Sequence, residues 1–330
     1  MRTLFMGSPE FAVPFLQLLH QKTNLVGVWT KPAKPAGRGL EVTASPIANM
    51  AKSMGVPVVE PVSLQKEKEF LKNQLEQLSL DLIVVVAYGK ILPADFLSLA
   101  RYGCINVHAS LLPKYRGAAP IQWALIHGEK ETGITLMQMD AGMDTGDILA
   151  QQQVLITPSD NIDTLKKKLS DLGIAMLSQF IDDLSIGKTP HPIPQNSSLA
   201  SSAPPLKKED GYIFFDKEAS LVLSHIQGVT PWPGAHVSFI SDSGSIREPL
   251  VLKLFAPSLS KLDATGKTPG EILAINTDGI HVACKMGTLC IAELQLPGKK
   301  RLAAHLFQHQ QGYSLHKGVI LGRVIHEAAG

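Results

Sequence analysis

The chain has 330 residues, 45% hydrophobic and 18% charged, and a net charge of +2. It is long enough for two domains with sizeable cores, and it is not a polycation. Basic and acidic residues nearly balance in both halves, so any nucleic-acid contact must come from a local patch.

Residues 2–6 read as a strand, Gly7-Ser8-Pro9 as a sharp turn, and residues 10–20 as a helix with Ser8 as its cap and Pro9 in its first turn. Residues 25–30 form a second apolar run, so the chain opens as a βαβ unit. Only Gly7 of the three glycines of a dinucleotide fingerprint is present, and NAD is not expected. Glu10 and two prolines interrupt the early apolar residues, which leaves no signal-peptide core. No run approaches the roughly 20 apolar residues of a spanning helix. The stretch KPAKPAGRG, residues 31–39, follows, with no acid until Glu41. By composition it is an exposed linker; functionally it would be an arm that meets phosphate through Lys31, Lys34 and Arg38.

Residues 45–54 read as a helix, 56–60 as a strand and 66–78 as an amphipathic helix. DLIVVVA, residues 81–87, has the continuous apolar character of a central parallel strand. Tyr88-Gly89-Lys90-Ile91-Leu92-Pro93 leaves that strand, and Tyr88 taken alone is a packing aromatic. Residues 104–107 end another strand. The chain then runs through His108-Ala109-Ser110, apolar Leu111-Leu112-Pro113 and basic Lys114-Tyr115-Arg116-Gly117 into a helix over 118–127. Asn106 and His108 are one residue apart, so on a strand they share a face. That face lies at a carboxyl strand end, where open α/β sheets bind ligands. Strands over 133–140 and 147–156 flank a loop in which Asp140, Asp144 or Asp147 could supply a carboxylate to His108.

Residues 161–187 carry apolar side chains at helical spacing. Residues 188–209 are rich in Pro and Ser and read as a linker. Short alternating runs follow at 211–215, 235–240, 250–255, 270–275, 279–283 and 288–294, with helices near 217–227 and 302–309. This is the pattern of a small β-barrel. Lys299-Lys300-Arg301 is a compact basic cluster that is a solvated loop unless RNA reaches it. Cys104, Cys284 and Cys290 have neither metal nor disulfide spacing, which points to a reducing, cytoplasmic compartment. The histidines show no metal-ligand spacing, and no metal is expected.

Asn106, His108, the run from Ser110 to Gly117 and the later Asp144-Thr145-Gly146 together resemble the signature of the folate-dependent formyltransferases, and the resemblance extends over nearly the whole chain. It implies an α/β fold: a Rossmann-like, doubly wound catalytic domain over 1–189, a linker over 190–209, and an OB-like β-barrel over 210–330 that binds tRNA. It implies 10-formyltetrahydrofolate as co-substrate, with Tyr88, Gly89, Ile91, Leu92, Ser110, Leu111, Leu112 and Pro113 around the pterin. It places the catalytic roles on Asn106, His108 and Asp144. The acceptor implied is the α-amine of methionine on initiator tRNA, reached by Lys31, Lys34 and Arg38 and by Lys299, Lys300 and Arg301. A cytoplasmic monomer without membrane contact is expected. A sugar-nucleotide formyltransferase, or the hydrolase part of a formyltetrahydrofolate dehydrogenase, is the nearest rival, and the two basic segments disfavour it. A non-catalytic RNA-binding protein is disfavoured by the intact Asn-His-Asp set.

Overall fold

A computed structural model describes residues 1–36, 41–239, 250–309 and 315–322. The chain divides into two compact units. The first comprises Met1–Ile121, Glu131–Leu155 and Asp163–Pro205; the second comprises Gln122–Lys130, Ile156–Ile162 and Leu206–Gly330.

The first unit is built on β1 (Arg2–Gly7), α1 (Val13–Lys22), β2 (Asn24–Trp29), a small hairpin of β3 (Lys34–Ala36) and β4 (Glu41–Thr43), α2 (Pro46–Ser53), β5 (Val58–Val59), α3 (Lys68–Gln77), β6 (Leu82–Val86) and β7 (Cys104–His108). The chain then passes through the short α4 (Pro120–Ile126), most of which belongs to the second unit, before β8 (Glu131–Gln138), β9 (Ile148–Leu155) and the long α5 (Ile162–Ser185). The sheet order is β5-β2-β1-β6-β7-β8-β9. The first five of these strands run parallel, and β8 and β9 add antiparallel pairs. The chain winds outward from β1 to β5, then crosses back to β6 on the other side of β1. The switch point therefore lies between β1 and β6, and the carboxyl ends of β1, β6 and β7 share one edge. All five residues of β6 are buried, as a strand covered on both faces requires. Gly173 lets α5 lie close beneath the site: a Cβ there would come within 2.8 Å of Phe15 and 3.5 Å of Val107 on β7.

Three local expectations change. Ser8 does not cap the first helix. A 3-10 turn, Glu10–Ala12, precedes α1, and the Ser8 hydroxyl turns to the switch point instead. Strand β5 is only two residues long because Pro57 and Pro61 flank it, and proline gives the ladder no N–H. Residues 193–203, read as linker, carry several bonds within the first unit. Ile193 exchanges both backbone bonds with Ile148, and Ala203 N–H donates to Arg116 O at 2.6 Å.

The second unit carries α6 (Ala219–Val229) on an antiparallel sheet of β10 (His236–Phe239), β11 (Leu250–Ser260), β12 (Ile272–Asn276), β13 (Gly279–Ala283), β14 (Thr288–Gln295) and β15 (Leu302–Ala303). Its order is β10-β11-β14-β13-β12, with β15 also on β14. Alternate residues (Leu252 and Leu254, Ile280 and Val282, Leu289 and Ile291) point into one core with Val222, Ile226 and Val229 of α6. The run 211–215 is not a strand. Asp210 accepts from Lys207 N–H at 2.6 Å and closes a 3-10 turn, leaving Tyr212 with a single bridge to His236. The expected helix over 302–309 is β15 followed by a 3-10 turn, Ala304–His309. No helix of the described residues is long and apolar enough to cross a membrane.

Candidate active site

The loops after β6, β7 and β8 each contain a non-glycine residue with left-handed backbone: Ala87 (φ 46), Tyr115 (φ 62) and Asp144 (φ 53). The first two leave the shared edge, while antiparallel β8 runs back from it and its loop starts beside Cys104 at the other end of β7. Each such residue costs about 1–2 kcal/mol. The five buried side chains of β6 alone contribute about 1.5–3 kcal/mol apiece, so the scaffold carries this strain easily. Strain of this kind gathers where geometry serves function.

Asn106 and His108 point to the same side of β7 and both reach Asp144. The Asn106 amide donates to Asp144 Oδ1 at 3.3 Å, and His108 Nδ1 lies 3.6 Å from Asp144 Oδ2. The Gly117 N–H donates to the same Oδ2 at 2.8 Å. The His108 and Asp144 side chains are 6% and 15% exposed. His108 Nε2 sits 2.9 Å from the Tyr115 carbonyl, which can only accept, so Nε2 carries a proton. The tautomer is thus set by Tyr115. A neutral ring presents the Nδ1 lone pair to Asp144, and any further proton falls between Nδ1 and the carboxylate. Of the other two acids in the loop, Asp140 is occupied with Gly142 N–H and the Thr145 hydroxyl, at 3.0 and 2.7 Å.

The loop that begins at Ser110 is pinned from below. The Thr135 hydroxyl donates to Ser110 O at 2.6 Å and accepts from Leu112 N–H; Gln151 donates to both Leu112 O and Thr135 Oγ1. The Ser110 hydroxyl donates to Lys114 O, and Tyr115 N–H donates to the Ser201 hydroxyl. Ser110 and Leu112 are buried, while Leu111 and Pro113 are half-buried.

Across the edge, Ile91 is exposed, whereas Leu92 and Tyr88 are buried in the core with Trp29 and Phe96. Burial pushes the Tyr88 phenol above its usual range. The Tyr88 carbonyl accepts from Ser8 Oγ, which in turn accepts from Lys31 N–H at 3.3 Å. Lys31 also reaches over Gly89 (φ 65), where a Cβ would run into its ammonium group. Lys31 and the Tyr88–Gly89 turn, assigned to different ligands from sequence, are therefore neighbours.

Arg38 and the Lys34 side chain lie outside the described residues. In the second unit, Lys299 and Lys300 are exposed on a turn at Gly298, while Arg301 lies 4.2 Å over the Phe255 ring and pairs with Glu293. Sequence reasoning missed Thr135, Gln151, Ser201 and Gln195. None stands in a charged cluster or a periodic pattern. The only available signal was that the loop carbonyls after β7 and β8 would need partners.

The formyl transferase family model matches residues 1–181, and the formyl transferase C-terminal domain model matches residues 205–312. The chain is 44% identical to the methionyl-tRNA formyltransferase of Citrifermentans bemidjiense over 98% of this chain and 97% of the relative. It is 41% identical to that of Kosmotoga olearia over 98% of this chain and 100% of the relative. Among solved structures, the fold resembles an N-formyltransferase from Helicobacter canadensis, in complex with folinic acid and dTDP-3-aminofucose (TM-score 0.63, 18% identity, 88% of this chain and 97% of that one). It also resembles HypX from Aquifex aeolicus in complex with tetrahydrofolic acid (TM-score 0.59, 16% identity, 94% of this chain and 47% of that one). With both models matched in tandem and relatives this similar along nearly their whole length, the chain belongs to the formyl transferase family, within the group of the methionyl-tRNA formyltransferases.

Proposed function

We infer that this enzyme transfers the formyl group of 10-formyltetrahydrofolate to the α-amine of methionyl-initiator tRNA. The convergence of Asn106 and His108 on Asp144 at the carboxyl edge of the sheet carries this reading, in a chain 44% identical to a methionyl-tRNA formyltransferase. In the reaction the amine nitrogen bonds to the formyl carbon, the bond from that carbon to the folate N10 breaks, and one amine proton ends on N10. Three demands follow: a neutral amine, donors for the oxyanion, and a proton for the leaving nitrogen. One Asn106 N–H serves Asp144, and the other is the oxyanion donor. The His108 Nε2–H is committed to Tyr115, so His108 works through Nδ1: with Asp144 it takes the amine proton and returns it to N10.

The pterin lies between the turn at Tyr88, Gly89, Ile91 and Leu92 and the loop at Ser110, Leu111, Leu112 and Pro113. Lys31, Lys34 and Arg38 are assigned to tRNA contact, as are Lys299, Lys300 and Arg301. The catalytic domain comprises 1–189, with the greater part of 190–209 fastened to it by the bonds of residues 193–203, and 210–330 is the tRNA-binding domain, an OB-like barrel; the antiparallel sheet with one core beneath α6 supports that second assignment. The enzyme works as a cytoplasmic monomer. The Asn-His-Asp set comes entirely from one chain, and the described cysteines are free and buried, as a reducing compartment allows.

The test is formyl transfer from 10-formyltetrahydrofolate to charged initiator tRNA, with charged elongator tRNA and an amino-sugar nucleotide as competitors. Initiator tRNA should be formylated preferentially. Transfer to the sugar nucleotide alone would replace this reading with the rival one, and binding of RNA without any transfer would leave a non-catalytic protein.

A further inference from the structure

The left-handed backbone at Asp144 has to be held from outside the loop, because the loop's own polar side chains are directed elsewhere: Asp140 closes on Thr145 and Gly142. The outside partner is one amide. Gln195 Nε2 donates to Asp144 O at 3.0 Å and to Gly146 O at 2.7 Å. Its Oε1 accepts from Arg116 Nε at 3.1 Å and Nη2 at 2.7 Å. Both N–H groups and both lone pairs of the amide are thus used. The orientation is also unambiguous: turning the amide over would set its oxygen against two carbonyls and its NH₂ against a guanidinium. Arg116 is held in turn, its N–H donating to Ser201 O at 2.8 Å and its carbonyl accepting from Ala203. The next residue, Gly117, supplies the N–H that binds Asp144 Oδ2. Gly146 packs closely on the Gln138 carbonyl, where a Cβ could not fit. Three chain segments, those after β7 and β8 and the one after α5, therefore meet at a single side chain.

We propose that Gln195, oriented by Arg116, is a positioning residue that fixes the Asp144 carboxylate against Asn106 and His108 by clamping the carbonyls of Asp144 and Gly146. This rests on Asp144 acting in formyl transfer. Gln195 touches no reacting atom; its effect passes through the Asp144 backbone.

The full-length enzyme is tested as Gln195→Leu, Gln195→Glu and Asp144→Asn, with Gln195→Leu also combined with Asp144→Asn. Steady-state formylation of charged initiator tRNA, thermal melting and calorimetric binding of tetrahydrofolate are the readouts. Gln195→Leu should lower kcat by about 10- to 100-fold, the order that a misplacement of about 1 Å can cost, with KM for both substrates and tetrahydrofolate affinity within about 2-fold of wild type. Gln195→Glu keeps the size of the side chain and its bond to Arg116 but cannot donate to the two carbonyls, so it should fold and be as slow as Gln195→Leu; this covers the case where Leu fails to fold. In the Asp144→Asn background, Gln195→Leu should remove nothing further, because its effect runs through that carboxylate. An additive loss, or a Gln195→Glu enzyme with normal kcat beside a crippled Asp144→Asn, overturns the clamp and leaves the role of Asp144 intact. A normal Asp144→Asn enzyme overturns both.

Discussion

At the scale of single residues, the site is a set of commitments that limit what each group can do. His108 has one nitrogen bound to Tyr115 O, which leaves its other nitrogen to face Asp144. Asp144→Asn keeps the shape and the bond from Gly117 but can hold no proton, and single-turnover formyl transfer should fall by at least about 100-fold, the scale of general acid–base catalysis. Tetrahydrofolate affinity should change little; near-normal turnover would move the proton role to another group. A second residue, His225 on α6, governs stability rather than chemistry. Its Nε2 donates to Asp210 O at 2.8 Å, and burial holds its pKa below the ordinary 6.5. In the unfolded chain it would take a proton near pH 6.5, whereas in the fold it would not. Its contribution is therefore complete above pH 6.5 and declines as the pH falls from there toward the lower folded value, at up to about 1.4 kcal/mol per pH unit for one proton. His225→Gln keeps a donor and cannot titrate, so Tm of this variant should fall less steeply than wild type below pH 6.5. Parallel curves would assign the acid sensitivity elsewhere, His127 being the nearest candidate because burial also lowers its pKa.

At the scale of elements, legibility in the sequence followed how local each cause was. The five consecutive apolar residues of β6 announce a doubly covered strand, because both faces must be dry. The alternation of Asn106 and His108 announces a shared face, because strand geometry alone dictates it. The segment 193–203 was illegible for the opposite reason. Its composition is that of a tether, and the bonds that tie it down go to loop carbonyls and to Ile148, Tyr115 and Arg116, far away in sequence. Nothing periodic marks such a segment, and Gln195 has neither a charge nor a motif around it. The consequence is measurable. With several bonds of about 0.5–1.5 kcal/mol each, brief proteolysis of the whole chain should spare residues 193–203 for as long as the first unit stays folded. Early cleavage inside that stretch would show that it is a free connection after all.

At the scale of the whole molecule, the described residues include hydrophobic cores of different design, one layered on a mostly parallel sheet and one gathered beneath α6 on an antiparallel sheet. Each core encloses a thiol. Cys104 lies on β7, two residues before Asn106, and Cys284 lies in the core of the second unit; burial pushes both pKa values up to about 12. Since the thiolate is the nucleophile, both should be inert to iodoacetamide at neutral pH while their units are closed. Their alkylation, resolved by peptide mass spectrometry along a urea gradient, then supplies two clocks within one polypeptide. Cys104 times the loosening of the strand that bears Asn106 and His108, and Cys284 times that of the antiparallel core. Coincident labelling would mean that the chain melts as one cooperative body, and separated midpoints would mean that one unit outlives the other. The strand of Asn106 and His108 thus brings its own chemical probe, one that needs no engineered label.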